Sequence, residues 1–318
     1  MGQVGTAFAA QVARRPDAVA VVDGARTRTY RELGDDVDRL ARWLVARGVG
    51  PETSVGVLAR RSYPMVAGML AILRAGGAFV PLNPEIPVAR LRSLVADVRP
   101  AVVLTETSLA AAAADLAVPV QQMTADLDGP PADLDARHHP RAVAYVIQTS
   151  GSTGEPKSVQ VEMHSLMNLL SWYRDVCEIG PGVRVGQIVA SNFDASVKNY
   201  LTPLVCGGTL ALLADGPYDP RAMLGFIERD QVAVLNPGVP SAVYPLVDLA
   251  AAAEYRPLSS IRCLALGGEP TDTERLRPWL ESPGSRARVL NIFGPTECAD
   301  IACYAEFDMP ASTDRASR

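Results

Sequence analysis

Thr149, Ser150, Ser152 and Thr153 crowd around Gly151 and Gly154 in "YVIQTSGSTGEPKSV", and Lys157 follows a proline. Glycines let a backbone bend and approach a ligand closely, because no Cβ stands in the way. The hydroxyls are donors, successive N–H groups can form an anion-binding concavity, and the lysine adds positive charge. Such a device suits a polyphosphate; a flexible Gly/Ser turn is the plainer reading. The spacing departs from the G-x-x-x-x-G-K-[ST] loop, because Gly154 is the last glycine before Lys157.

The loop must be held by what flanks it. "VAYVI" (143–147) reads as a buried strand leading into it, and "LMNLLSWYRD" looks helical beyond it. Further strands are read at "VAVV" (19–22), "VGVLA" (55–59), "AFVPL" (78–82), "AVVL" (101–104), "QIVA" (187–190), "TLALL" (209–213), "VAVL" (232–235), "CLAL" (263–266) and "VLNI" (289–292). Apolar residues recur at helical spacing from Arg31 to Arg47, with Gly48 as the terminating glycine. "MVAGMLAILRAG" (65–76) is an apolar helix, and alanines crowd 109–118. Unalternating apolar strands between helices indicate an α/β fold with mostly parallel sheets covered on both faces. Residues 124–141 read as a surface loop, with His138 and His139 in a solvated turn.

The 318 residues exceed the size at which single cores stop growing, so two packed lobes are expected. A net charge of −5 with no Lys/Arg cluster argues against nucleic acid as the main partner. The N-terminal segment lacks an apolar run fit for a signal or a membrane span, so no membrane partner and a cytoplasmic, reducing location are expected. Five cysteines in a long chain do not read as a disulfide framework. Cys298 and Cys303 have no His or second Cys pair nearby and read as small buried residues rather than metal ligands.

The glycine- and hydroxyl-rich stretch resembles the phosphate loop of the adenylate-forming superfamily, which includes acyl-CoA synthetases, luciferases and the adenylation domains of nonribosomal peptide synthetases. Four other stretches agree in order: "RTYREL" (28–33), "ILRAGGAFVPLNPEIPVARL" (72–91), "NFDASV" (192–197) and "NIFGPTE" (291–297). The resemblance implies two α/β/α sandwich lobes, one from about 51–168 and one from about 1–50 with 169–310. The active site would lie between them, near the C-terminal ends of strands. It also implies the reaction. The carboxylate of an amino acid attacks the α-phosphorus of ATP, giving aminoacyl-AMP and pyrophosphate, and the product is loaded onto a carrier protein's phosphopantetheine arm.

On this resemblance, Thr149, Ser150, Gly151, Ser152, Thr153, Gly154 and Lys157 hold the β- and γ-phosphates. Glu297 matches a Mg2+-binding glutamate, with a surface acid as the plainer reading, and Thr296 donates to the α-phosphate. Phe293 stands where tyrosine is usual and would stack on adenine, beside Asn291 and Gly294. "LALGGEP" (264–270) brings Gly267, Gly268 and Glu269 close to the nucleotide. Asp194 matches the aspartate that pairs with a substrate's α-ammonium; capping the helix over "ASVKNYL" is the other reading. The remaining pocket positions match Ala195, Lys198, Asn236, Ala265, Gly267, Ile292, Asp300 and Ile301, with Asn236 subject to a one-residue slip. Lys198 and Asp300 either pair with each other or meet a charged substrate, which points to a polar or acidic amino acid.

Some family features are not matched. Ser158 replaces a glycine, and "VEMHSL" has Met163 and His164 where His-Arg is common; His164 reads as a helix-surface residue. The family's small β-barrel-like section, Thr-Gly-Asp ribose clamp and C-terminal lid with its lysine find no counterpart. The chain is therefore expected to correspond to the N-terminal core region, with little activity alone. Three settings fit: a piece of a working enzyme, a protein completed by a C-terminal subdomain or accessory partner, or a silent nucleotide- or partner-binding module.

Overall fold

Thr29 starts the first long helix, Tyr30–Val45, with a reciprocal cap. Its hydroxyl accepts from Glu32 N–H at 3.2 Å, and the Glu32 carboxylate accepts from Thr29 N–H at 2.7 Å. The T-x-x-E pattern closes two otherwise unpaired donors. In this computed structural model, residues 3–135, 139–149 and 157–307 are described.

The chain opens with β1 (Val19–Asp23) and β2 (Arg26–Thr29). It then lays down β3 (Ser54–Leu58), β4 (Ala78–Leu82), β5 (Val103–Thr105), β6 (Val120–Gln122), β7 (Val143–Thr149) and β8 (Lys157–Glu162). It ends with β9 (Arg184–Gln187), β10 (Thr209–Leu212), β11 (Val234–Gly238), β12 (Cys263–Leu266), β13 (Arg288–Phe293) and β14 (Cys303–Glu306). These form a six-stranded sheet, β6-β5-β3-β4-β7-β8, and an eight-stranded sheet, β14-β13-β12-β11-β9-β10-β1-β2. The first two strands thus join the sheet built by the second half of the chain. Pairing is parallel except at three sheet edges, where β2, β8 and β14 run antiparallel to their neighbours.

The helix Tyr63–Arg74 is buried along nearly its whole length, from Met65 to Arg74. A helix apolar on all sides needs cover on all sides. Here it shares one core with β3, β4 and the helices Val4–Arg14 and Tyr30–Val45. Its one buried charge, Arg74, is paired with Asp38 and Asp135. Separate apolar clusters cover the far face of the six-stranded sheet and both faces of the later strands.

Three features differ from the sequence reading. The strand expected at 187–190 is β9, which ends at Gln187. Gln187 is fully buried and its Nε2 donates to Val189 O at 2.8 Å, so its side chain turns the backbone out of the sheet. The segment before the helix Met163–Val176 is the edge strand β8, which the sequence reading left unassigned. Cys298 and Cys303 are exposed rather than buried, because they lie on a short turn and an edge strand. All five cysteines are free; Cys177 and Cys263 are buried with their sulfurs 3.1 Å apart. His139 and His164 are exposed, and His164 pairs with Glu162 at 3.0 Å; His138 lies outside the described residues.

Candidate active site

Parallel strands end together at one rim of the eight-stranded sheet, and a cavity of about 420 Å3 opens there. Ile188 and Ala190 reach it from beyond β9, Asn236 from β11, Gly267 and Gly268 from beyond β12, and Ile292 and Phe293 from β13. Phe193, Asp194 and Ala195 enter at the start of the helix Ala195–Cys206, and Gly294 and Asp300 complete the lining. Open α/β sheets bind ligands at such carboxyl ends. Gly267 needs to be glycine: a Cβ there would lie 2.6 Å from Ile292 O. Phe293 is 69% exposed, so one ring face is open at the rim.

A second cavity, about 460 Å3, shares Phe193 and Asp194 with the first. It is lined further by Gln148, Thr149, Arg90, Asn192 and Thr296. Thr149 is directly opposite Lys157 in the β7–β8 ladder, so that hairpin fixes both ends of the seven residues 150–156. Ser150, Gly151, Ser152, Thr153 and Gly154 lie outside the described residues. Strand β8 packs against the turn Thr296–Cys298, which brings the Lys157 segment and the Pro-Thr-Glu segment together.

Asp194 joins the two cavities. Its Oδ1 accepts from Ala195 N–H at 2.8 Å, as a cap for its helix, and its Oδ2 accepts from the Thr296 hydroxyl at 2.5 Å. The cap reading of this residue therefore holds, and the capping carboxylate also lines both cavities.

Lys198 is fully buried behind the first cavity. It donates to Asp300 Oδ2 at 2.5 Å and to Ala195 O at 3.2 Å, and it lies 5.6 Å from the Tyr173 ring centroid. The two unusual charges thus pair with each other. Burial raises the Asp300 carboxyl above the ordinary carboxylate range, with Lys198 opposing and Asp194 reinforcing the rise. Ala299 and Asp300 both have left-handed backbones, at φ 59° and 76°. Such conformations are costly for residues other than glycine and concentrate at functional sites.

A buried polar network supports the floor. Asn199 accepts from Tyr173 hydroxyl at 3.1 Å and donates to Gln187 Oε1 and Asn236 O, both at 3.3 Å. Tyr145, from β7, is buried with its hydroxyl unpartnered; burial and the nearby Asp194 and Asp300 charges raise its phenol far above its usual range.

Not every expected residue faces a cavity. Ala265 is buried within β12, Lys198 lies behind the wall, and Asn291, Glu269 and Ile301 stand outside both linings. Glu269 instead accepts from Ser241 N–H at 3.4 Å. Lys157 and Glu297 are exposed, and Glu297 makes no ion pair among the described residues. Mg2+ commonly needs only one or two carboxylates beside phosphate oxygens and water, so a free, exposed Glu297 fits that ion. No cluster of three or more His, Cys, Asp or Glu suited to a metal occurs among the described residues. No helix there is long and apolar enough to cross a membrane. The sequence reading passed over Phe193, Gln148 and Arg90; Phe193 lay inside the quoted "NFDASV", and its exposure of 58% distinguishes it from a core aromatic.

Residues 8–318 match the family described as AMP-binding enzyme. The chain is 34% identical over 296 residues to tyrocidine synthase 3 of Brevibacillus parabrevis, covering 91% of this chain and 4% of that protein. It is 31% identical over 306 residues to zwittermicin A synthase ZmaJ of Bacillus cereus, covering 93% and 58%. Among solved structures, the nonribosomal peptide synthetase FmoA3 bound to alpha-methyl-L-serine-AMP superposes with a TM-score of 0.86 at 29% identity, covering 96% of this chain and 34% of that one. Its AMPPNP-bound form gives 0.86 and 29%, covering 96% and 33%. The chain therefore spans less than two thirds of each of these relatives.

Proposed function

The chain belongs to the AMP-binding enzyme family and has the fold of the N-terminal core of nonribosomal peptide synthetase adenylation domains; on that premise we propose that it activates an amino acid with ATP. The amino acid's carboxylate oxygen attacks the α-phosphorus, the bond to the bridging oxygen breaks, and pyrophosphate leaves. The aminoacyl-AMP is then passed to the thiol of a carrier protein's phosphopantetheine arm. The observation that carries this reading is Asp194, a carboxylate shared by two adjoining cavities and held at both oxygens.

In this reading the first cavity takes the base and the amino acid, and Phe293 stacks on adenine. Asp194 meets the α-ammonium, where an ion pair selects amino acids over plain acids. The second cavity, which Thr149 lines at the end of β7, takes the phosphates. The Thr296 hydroxyl donates to Asp194 in the free protein and would turn to the α-phosphate when nucleotide binds. Lys157 brings positive charge to the phosphate end, where two anions must approach one another. Mg2+ held by Glu297 and phosphate oxygens would supply the neutralising charge that phosphoryl transfer needs.

The test is amino-acid-dependent ATP–pyrophosphate exchange, measured for the chain alone and with a C-terminal segment of the family supplied. Exchange in either setting that drops to background in Lys157→Ala is the expected result. Nucleotide binding without exchange in both settings, with Lys157→Ala at the same baseline, would instead favour a silent binding module.

A further inference from the structure

The first cavity has a polar wall in an apolar frame. Ala195, Gly267 and Ile292 offer no side-chain polar atom, whereas Asp300 and Asn236 do. Behind Asp300, the Lys198 ammonium already has its partners: Asp300 Oδ2, Ala195 O and the Tyr173 ring. The cation is paired from within the protein, with two of its three donors bonded and a ring face nearby. A substrate carboxylate could reach it only by displacing Asp300, leaving a buried carboxylate without its counter-charge. A substrate cation would add a second positive charge beside a single carboxylate.

What the wall holds unmatched is one acceptor, on Asp300, and one buried donor, on Asn236. Among the described residues, Asp300 makes no hydrogen bond besides that of Oδ2 to Lys198. Asn236 is fully buried; its Oδ1 accepts from Gly238 N–H at 2.9 Å, which fixes the orientation of the amide. Its Nδ2 has no acceptor among the described residues. An unmatched buried donor is unfavourable, and an entering acceptor would relieve it. A hydrocarbon side chain would leave both groups unmatched.

We propose that the amino acid taken by this pocket has an uncharged side chain with both a donor and an acceptor, a carboxamide or a hydroxyl. The donor would meet Asp300 and the acceptor would meet Asn236. This rests on the amino-acid-activating reading above.

Isothermal titration of the chain with stable sulfamoyl-adenosine mimics of the aminoacyl adenylate tests it, using the glutamine, asparagine, serine, threonine, glutamate, lysine and leucine conjugates. One of the amide or hydroxyl conjugates is expected to bind roughly 10-fold or more tightly than the glutamate, lysine and leucine conjugates, since a site built for polar contacts rejects analogues lacking them. Tightest binding by glutamate, lysine or leucine, or equal binding of all, overturns the proposal and leaves amino-acid activation standing. Failure of every conjugate and of AMPPNP to bind removes the activating reading itself. In a Lys198→Met/Asp300→Leu double variant, the preference should move to the leucine conjugate; an unchanged preference in the folded variant also overturns the assignment. If that variant does not fold, the wild-type series decides.

Discussion

Asp194 caps a helix with the carboxylate that the proposed function gives to the substrate's ammonium, and the two duties separate on mutation. Asp194→Asn keeps an oxygen to accept from Ala195 N–H but removes the charge. Thermal unfolding should change little, because asparagine is about as good a cap as aspartate. Binding of an aminoacyl-adenylate mimic should weaken by roughly 10- to 100-fold, as charge-assisted bonds are about twice as strong as neutral ones. A cap-only role predicts no loss of binding. Asp300 makes a separate prediction, about pH. Its carboxyl is raised by burial in the folded protein, so the native state holds the proton more tightly than the unfolded chain. Its contribution to stability is full below the ordinary carboxylate pKa and is lost as pH rises through the raised folded value. Urea unfolding of wild type and Asp300→Asn from acid pH to neutrality should show wild type losing ground to the variant as pH rises.

Among the elements, the capped helix gives the simplest test. Thr29→Ala removes the hydroxyl that accepts from Glu32 N–H and should cost about 1 kcal/mol in chemical denaturation, with no change in ligand binding. The sequence reading began this helix at Arg31 and did not name the cap, although T-x-x-E ahead of an apolar run is a local signal. The buried strands β4, β7 and β12 were legible in advance, since runs such as "AFVPL" and "CLAL" have no reading other than the interior. β9 was misplaced by its own chemistry. Ile188 and Val189 look like strand residues, but a bond from the buried Gln187 side chain to Val189 O accompanies their turn into a cavity wall. β8 was hidden because "KSVQVE" is half exposed and gains its strand only by pairing with β7. At the site, the family resemblance pointed to Asp194, Gly267 and Thr296. It left the Lys198–Asp300 pair as one of two readings, because those residues meet across the fold and no local pattern decides between them.

At the scale of the molecule, the two sheets are joined by Arg61. It follows β3 in the six-stranded sheet, and its guanidinium reaches Ile188 O at 2.7 Å, Leu213 O at 2.6 Å and Ala214 O at 3.1 Å, beyond β9 and β10 of the eight-stranded sheet. Asp215 closes the joint, accepting from Arg61 N–H at 3.0 Å and pairing with the guanidinium at 3.2 Å. Arg61→Ala strips donors from three carbonyls and should lower unfolding free energy by about 3 kcal/mol, read from denaturant midpoints at constant slope. Arg61→Lys should recover less than half of that, since a single ammonium cannot span the planar fork.

Most of what Arg61 grips is main chain. The exposed side chain at 214 can therefore vary in size and polarity without loosening the joint, whereas Ile188 and Leu213 also pack against the apolar core. The tolerance is one-sided. A library randomised at position 214 should yield many folded members, and one randomised at position 61 very few.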